Sequence, residues 1–337
     1  MLWIFITAAA APLQVARNVM QRGLVGDAGP WGATLVRFLF GMPFAVAIFL
    51  VVAALTPDAA PRASAGFAAI LALGAAAQVA ATACLLLAMG RSGLGVATVM
   101  QQSSLPFAAL LGFAVFGDDL RPIGWAGIAA TTAGIVILSW PRRGEAKGAL
   151  AGAILGLGSG LAFAVALNAY RHAALALDAR HPIYAATACV CMAQFLQSAG
   201  LTAALAAARP SALKAVVASW RQSLGAGFFG AAASACWFAA LALAPAGQVR
   251  AVGVIETPVA AIVGRRLFQE RLSARQVWGA LLSAAGVVAT ALGCPRFGHA
   301  GGRRIAPVST PCRRPAASQS REPRRRLGAI CPERCAQ

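Results

Sequence analysis

Glu256 is the one acidic residue of this 337-residue chain that falls in the interior of an apolar span, about nine positions from either end of it. A carboxylate at the centre of a bilayer-spanning helix costs roughly 2.5–3.5 kcal/mol on insertion scales, so such a group faces protein or water rather than lipid. Desolvation would favour its protonated form and suit it to carry a proton; kept ionised, it would bind a cation. A third reading is a fixed ion pair with Arg37 or Arg250. Pro258, two residues on, leaves backbone groups without helical partners, a common setting for binding inside a membrane.

Arg37 is the natural complement, a guanidinium inside an apolar run whose two parallel donors fit a carboxylate. Its alternative role is that of a structural anchor. Gln14, Arg17, Asn18 and Gln21 follow i, i+3, i+4, i+7 spacing and share one helical face. Asn168 and Tyr170 are their rough counterparts in a later apolar run, so a polar stripe is expected to line water in both places. Gln78, Gln101 and Gln194 add uncharged donors and acceptors in other runs, as do Gln102, Ser103, Ser104 and Gln197. Such groups suit a zwitterionic or polyhydroxylated solute, although each one singly also serves as interhelical glue.

The elements that position these residues are long apolar helices. Hydrophobic residues make up 59% of the chain and charged residues 12%, with mean hydropathy +0.71; soluble domains are about 45–50% apolar and about 25% charged. Ten spans can be drawn: 2–22, 31–54, 66–89, 94–116 and 122–140, then 149–171, 183–207, 224–243, 247–267 and 276–293. The runs are continuous and about twice the length of barrel strands, so they read as helices. The first lacks a basic leader and reads as a span rather than a cleaved signal. Trp3, Trp31, Trp140 and Trp278 fall near span ends, where indole favours the headgroup level.

The chain repeats itself at a constant offset of 152 residues. Ala83-Cys84 returns as Ala235-Cys236, Pro106 as Pro258, Asp118 as Glu270, Leu120 as Leu272, Gly127 as Gly279 and Gly134 as Gly286. Five spans per copy is an odd number, so the second copy enters the membrane from the opposite side and the repeat is inverted. The expected architecture is an all-α integral membrane protein of ten transmembrane helices, with one five-helix repeat over 1–141, a second over 142–293, and a tail over 294–337 too polar to form a core.

The net charge of +19 does not make this a nucleic-acid binder. Residues 294–337 alone hold ten Arg against two Glu, and most other basic residues sit in loops between spans, where lipid headgroups and topology select them. Of the eight Cys, Cys84, Cys189, Cys191 and Cys236 lie in apolar runs as small core residues. Cys331 and Cys335 have too few companions for a metal site, and no cofactor motif is present.

Arg37-Phe38, the Pro106 run ending in Gly117-Asp118-Asp119-Leu120, and Trp125-Ala126-Gly127 leading to Gly134 resemble the EamA-like family of the drug/metabolite transporter superfamily. So do Glu256-Thr257-Pro258, Gln269-Glu270-Arg271-Leu272 and Trp278-Gly279 leading to Gly286. One departure is Gln269 where the family has glycine before the acid. The resemblance covers residues 1–293 and implies a ten-helix carrier, often an exporter of amino acids or other small metabolites, with a central cavity between its halves. The partners expected are a small solute, protons and the lipid bilayer, for a monomer or homodimer. The Ala-rich, Arg-over-Lys composition points to a bacterial inner membrane. A channel or a non-transporting membrane module is the alternative. An enzyme fits less well, since His172, His181 and His299 form no catalytic cluster.

Overall fold

The computed structural model describes residues 2–116, 121–139, 146–256, 259 and 274–292, and these are helical with no strand. The motif residues Gly117–Leu120 and Thr257–Ser273 (apart from Val259), Trp140, and the tail from residue 294 lie outside the described residues.

The helices are α1 (Leu2–Leu39), α2 (Met42–Ala54), α3 (Ala65–Gln101), α4 (Ser104–Phe116), α5 (Pro122–Ser139), α6 (Ala146–Asp178), α7 (Pro182–Ala208), α8 (Pro210–Ala218), α9 (Trp220–Leu243), α10 (Ala246–Gly253) and α11 (Ala274–Leu292). Among the described residues six stretches are long and apolar enough to cross a membrane: Leu2–Gly26, Ala28–Ala54, Ala65–Arg91, Ala151–Asp178, Pro182–Ala208 and Trp220–Leu243. Ser104–Val115, Pro122–Ile137 and Val277–Gly286 are shorter apolar helices. Exposed Phe5, Leu50, Val51, Phe113 and Trp278 lie on the outer face, a surface suited to lipid.

Local sequence sets the breaks. α1 is interrupted at Gly29 (φ 69°, ψ 174°), a conformation open almost only to glycine, and Pro30 restarts the helix. The chain doubles back there, because Gln21 Nε2 donates to Ala33 O at 2.8 Å. In an unbroken helix those residues would stand about 18 Å apart. Trp3, expected near the interface, is buried, with its carbonyl accepting the Thr7 hydroxyl at 2.7 Å.

The third and fourth spans differ from expectation. No proline interrupts residues 89–94, and α3 continues to Gln101 before turning at Gln102-Ser103. Pro106 explains the turn, since its ring excludes a helical carbonyl at residue 102. Ser103 and Leu105 instead donate to carbonyls three residues back, at 3.1 and 2.9 Å. The same break recurs 152 residues later at Val254-Ile255, again with three-residue hydrogen bonds, both 3.2 Å.

The packing respects that offset. α5 and α11 cross antiparallel through close backbone approach: a Cβ on Gly134 would lie 2.6 Å from Gly279 O, and one on Gly286 would lie 2.6 Å from Gly127 O. Between them, the hydroxyls of Thr131 and Ser283 each reach the other's carbonyl at 3.4 Å. α2 and α7 also run antiparallel, with Gly41 beside Gln194 and Phe49 beside Tyr184, ring centroids 5.6 Å apart. Two further large interfaces, α1 on α9 and α3 on α6, exchange with one another under the offset. Glycine and alanine at these crossings admit the close helix approach that holds bundles together in lipid.

On one side of the bundle, the segment between α2 and α3 is strapped to the end of α6. Arg62 N donates to Leu177 O at 2.9 Å and Ala60 N to Asp178 Oδ2 at 3.3 Å, while Asp178 also contacts His181 Nδ1 at 2.9 Å.

Candidate functional site

Polar side chains of α1, α3, α6, α9 and α10 converge on a small, partly open cavity of about 30 Å³. Its polar wall includes Gln14, Arg37, Gln78, Gln101, Ser234 and Arg250. The apolar wall is Phe163, Ala166, Leu167, Trp237 and Phe238, with Tyr170 stacked on Phe238 at a centroid distance of 4.0 Å.

Glu256 sits immediately after the second helix break and is fully buried. Gln14 Nε2 donates to its Oε2 at 2.8 Å, Asn18 Nδ2 reaches Oε1 at 3.4 Å, and Arg250 Nη1 lies 3.6 Å from Oε2. Of the two arginines named by sequence as possible ion-pair partners, Arg250 is the one in place. A carboxylate removed from water needs such compensation, because loss of one partner of a buried pair costs about 3–5 kcal/mol.

Arg250 is fully engaged. Its Nε donates to Ser104 Oγ at 2.6 Å, its Nη2 to Gln102 Oε1 at 2.7 Å, and its guanidinium lies 5.3 Å from the Trp237 ring centre. Ser104 and Glu256 are 152 residues apart, so Arg250 bridges equivalent positions of the repeat. Arg37 does likewise: Nη1 donates to Thr82 Oγ1 at 3.0 Å and Nη2 to Ser234 Oγ at 3.3 Å, again positions 152 apart. Gly230 allows this, as the Arg37 side chain lies where a Cβ would be 3.1 Å away.

The expected site residues separate into three groups. Gln14, Arg37, Gln78, Gln101 and Tyr170 line the cavity. Asn18 and Arg17 form its buried flank, with Arg17 Nη2 donating to Asn18 Oδ1 at 2.7 Å. Gln21 is spent on the α1 reversal, and Asn168 donates to Ala164 O and Ala108 O at 3.0 and 3.2 Å. Gln194 is buried between α7 and Gly41, without a hydrogen-bond partner for its amide. Tyr170 OH donates to Gln78 Oε1 at 2.8 Å, and Gln197 Nε2 donates to the same oxygen at 2.8 Å. Ser234, Trp237, Phe238 and Phe163 were passed over in the sequence because they read as ordinary filling of apolar runs. Among the described residues no group of three His, Cys, Asp or Glu is placed to hold a metal.

A sequence model of the EamA-like transporter family, part of the drug/metabolite transporter superfamily, matches residues 1–140. One solved structure, titled only "Crystal structure of protein", has a TM-score of 0.60 and 18% identity, over 89% of this chain and 99% of that one. At that identity the likeness concerns the fold. No curated protein matches. The six long apolar helices among the described residues, with the similarity of residues 1–140 to a transporter family, support an integral, multi-pass membrane protein.

Proposed function

We propose that the chain is a secondary active transporter that exports a small metabolite, such as an amino acid or an analogue, by proton-coupled alternating access across a bacterial inner membrane. Its frame in this reading is ten transmembrane helices in two inverted five-helix repeats, residues 1–141 and 142–293. The reciprocal α5/α11 crossing and the recurrence of the helix break support that frame.

The observation that carries the reading is Glu256, buried at a helix break and tied to a cavity-lining arginine. Protonation of Glu256 removes the charge that holds Arg250 at 3.6 Å and weakens the hydrogen bonds from Gln14 and Asn18. Arg250 then has a reason to change partners, and the interrupted helices before and after it can shift without breaking a continuous hydrogen-bond ladder. Proton binding at Glu256 and solute binding in the cavity are thereby linked through the Arg250 guanidinium, the kind of coupling that proton-driven transport requires.

Reconstitution into proteoliposomes tests this. Labelled solute should show counterflow, which a channel does not give, and an imposed pH gradient should drive net uptake or efflux. Glu256→Gln should abolish gradient-driven movement while solute exchange persists in part. Full pH-driven transport by that variant rejects the proton role.

A further inference from the structure

The cavity holds more positive charge than negative. Arg250 is matched by Glu256, and its remaining donors go to Ser104 and Gln102. Arg37 and Arg17 are also buried, at 3% and 1% exposure, and among the described residues neither has a carboxylate within ion-pair distance. Arg37 donates to two neutral hydroxyls and lies 5.0 Å from the Phe38 ring centre, and its Nε has no hydrogen-bond partner. Arg17 rests on the Asn18 amide, and its Nη1 is unpartnered. A guanidinium out of water is retained where a counter-charge arrives.

No seat for an ammonium group accompanies them. Glu256 is already occupied by three donors and does not line the cavity. The face of Trp237 is taken by Arg250, while that of Tyr170 is stacked on Phe238. The groups left free in the lining are the Arg37 Nε, the Trp237 indole N–H and the Gln101 carbonyl oxygen. Two of these three are donors, and Phe163, Leu167 and Phe238 supply apolar lining.

Building on the transporter reading, we infer that the solute is a net anion, a carboxylate on a compact apolar body, whose headgroup docks on Arg37 and the Trp237 N–H. A zwitterion is disfavoured because its ammonium would enter a cavity that already carries uncompensated positive charge. Within the proposed class of amino acids and analogues, this selects those whose amine is absent or masked.

The test uses the purified full-length protein and four probes that share a phenyl body: 3-phenylpropionate, 3-phenylpropionamide, phenylalanine and phenethylamine. Binding is followed by calorimetry and by the thermal unfolding midpoint. 3-Phenylpropionate should bind about tenfold or more tightly than any of the other three, the size of one charge-assisted hydrogen bond. Arg37→Gln should erase that preference and Arg37→Lys should retain part of it, with unchanged elution on size exclusion certifying both variants as folded. Equal or tighter binding of the zwitterion or the amine, binding of none of the four, or an anion preference that survives Arg37→Gln overturns the inference. Counterflow of the same probes in proteoliposomes separates the two ideas. Anion-selective binding without counterflow removes the carrier and keeps the anion site, whereas counterflow that favours phenylalanine keeps the carrier and removes the anion site.

Discussion

Thr131 and Ser283 stand opposite one another at the α5/α11 crossing, and the hydroxyl of each reaches the main-chain carbonyl of the other at 3.4 Å. Their separation of 152 residues is the offset of the sequence repeat, so in the proposed two-repeat frame this contact joins equivalent positions of the two halves. Gly127 with Gly286 and Gly134 with Gly279 flank it symmetrically.

Substitution at this crossing should therefore act twice in the same way. Gly134→Ala and Gly286→Ala each press a methyl group against a backbone carbonyl at 2.6 Å, and overpacking of this kind costs about 1–3 kcal/mol. Both variants should lower the unfolding midpoint in detergent by similar amounts. Gly158→Ala, with nothing within 4 Å, should leave it unchanged.

The Glu256–Arg250 pair should show strong coupling in a double-mutant cycle. Glu256→Gln leaves a buried guanidinium without its counter-charge, and Arg250→Gln leaves a buried carboxylate likewise, so each alone should destabilise by about 3–5 kcal/mol. The double variant should recover much of that loss in thermal or denaturant unfolding. Costs that simply add would show that the 3.6 Å contact contributes little.

Thr82→Val and Ser234→Ala test the symmetric grip on Arg37. Each removes one acceptor from the guanidinium, at 3.0 and 3.3 Å. Each should weaken solute affinity several-fold, corresponding to about 0.5–1.5 kcal/mol. In the transport assay this should appear as a raised KM with a smaller change in the maximal rate.

The sidedness of loops can be read by labelling. The segment carrying Asp58 is strapped by Arg62 to the end of α6, so Asp58 and Arg180 lie on one side of the bundle. α8 packs instead beside Gly32, close to the α1 reversal, which puts Ser219 on the opposite side. In a background with all eight cysteines replaced, Asp58→Cys and Arg180→Cys should react with an impermeant maleimide from the same face, and Ser219→Cys from the other. Labelling of all three from one side would contradict the inverted arrangement.

The repeat offset, the helical character and the burial of Glu256 were legible in the sequence because each follows from spacing and composition. The position of the third break was not, although Pro106 was visible: a proline marks where a helix cannot continue, and only packing settles what lies before it. Periodicity likewise placed Gln21 and Asn168 on polar faces without revealing that backbone carbonyls would absorb their donors. Trp237 and Phe238 gave no warning, since an aromatic side chain in an apolar run looks the same whether it fills a core or walls a cavity. Arg250 could be named as a candidate partner of Glu256, but its hold on Ser104 and Gln102 required the fold.

Neither Arg37 nor Arg250 has an arginine at the position 152 residues away. Cys189 occupies the position equivalent to Arg37, and Thr98 the position equivalent to Arg250. In the proposed two-repeat frame the cavity is therefore asymmetric, and a solute held there would meet different chemistry toward each face of the membrane. In that frame loading from one compartment need not match loading from the other, because the two halves present different side chains to the cavity.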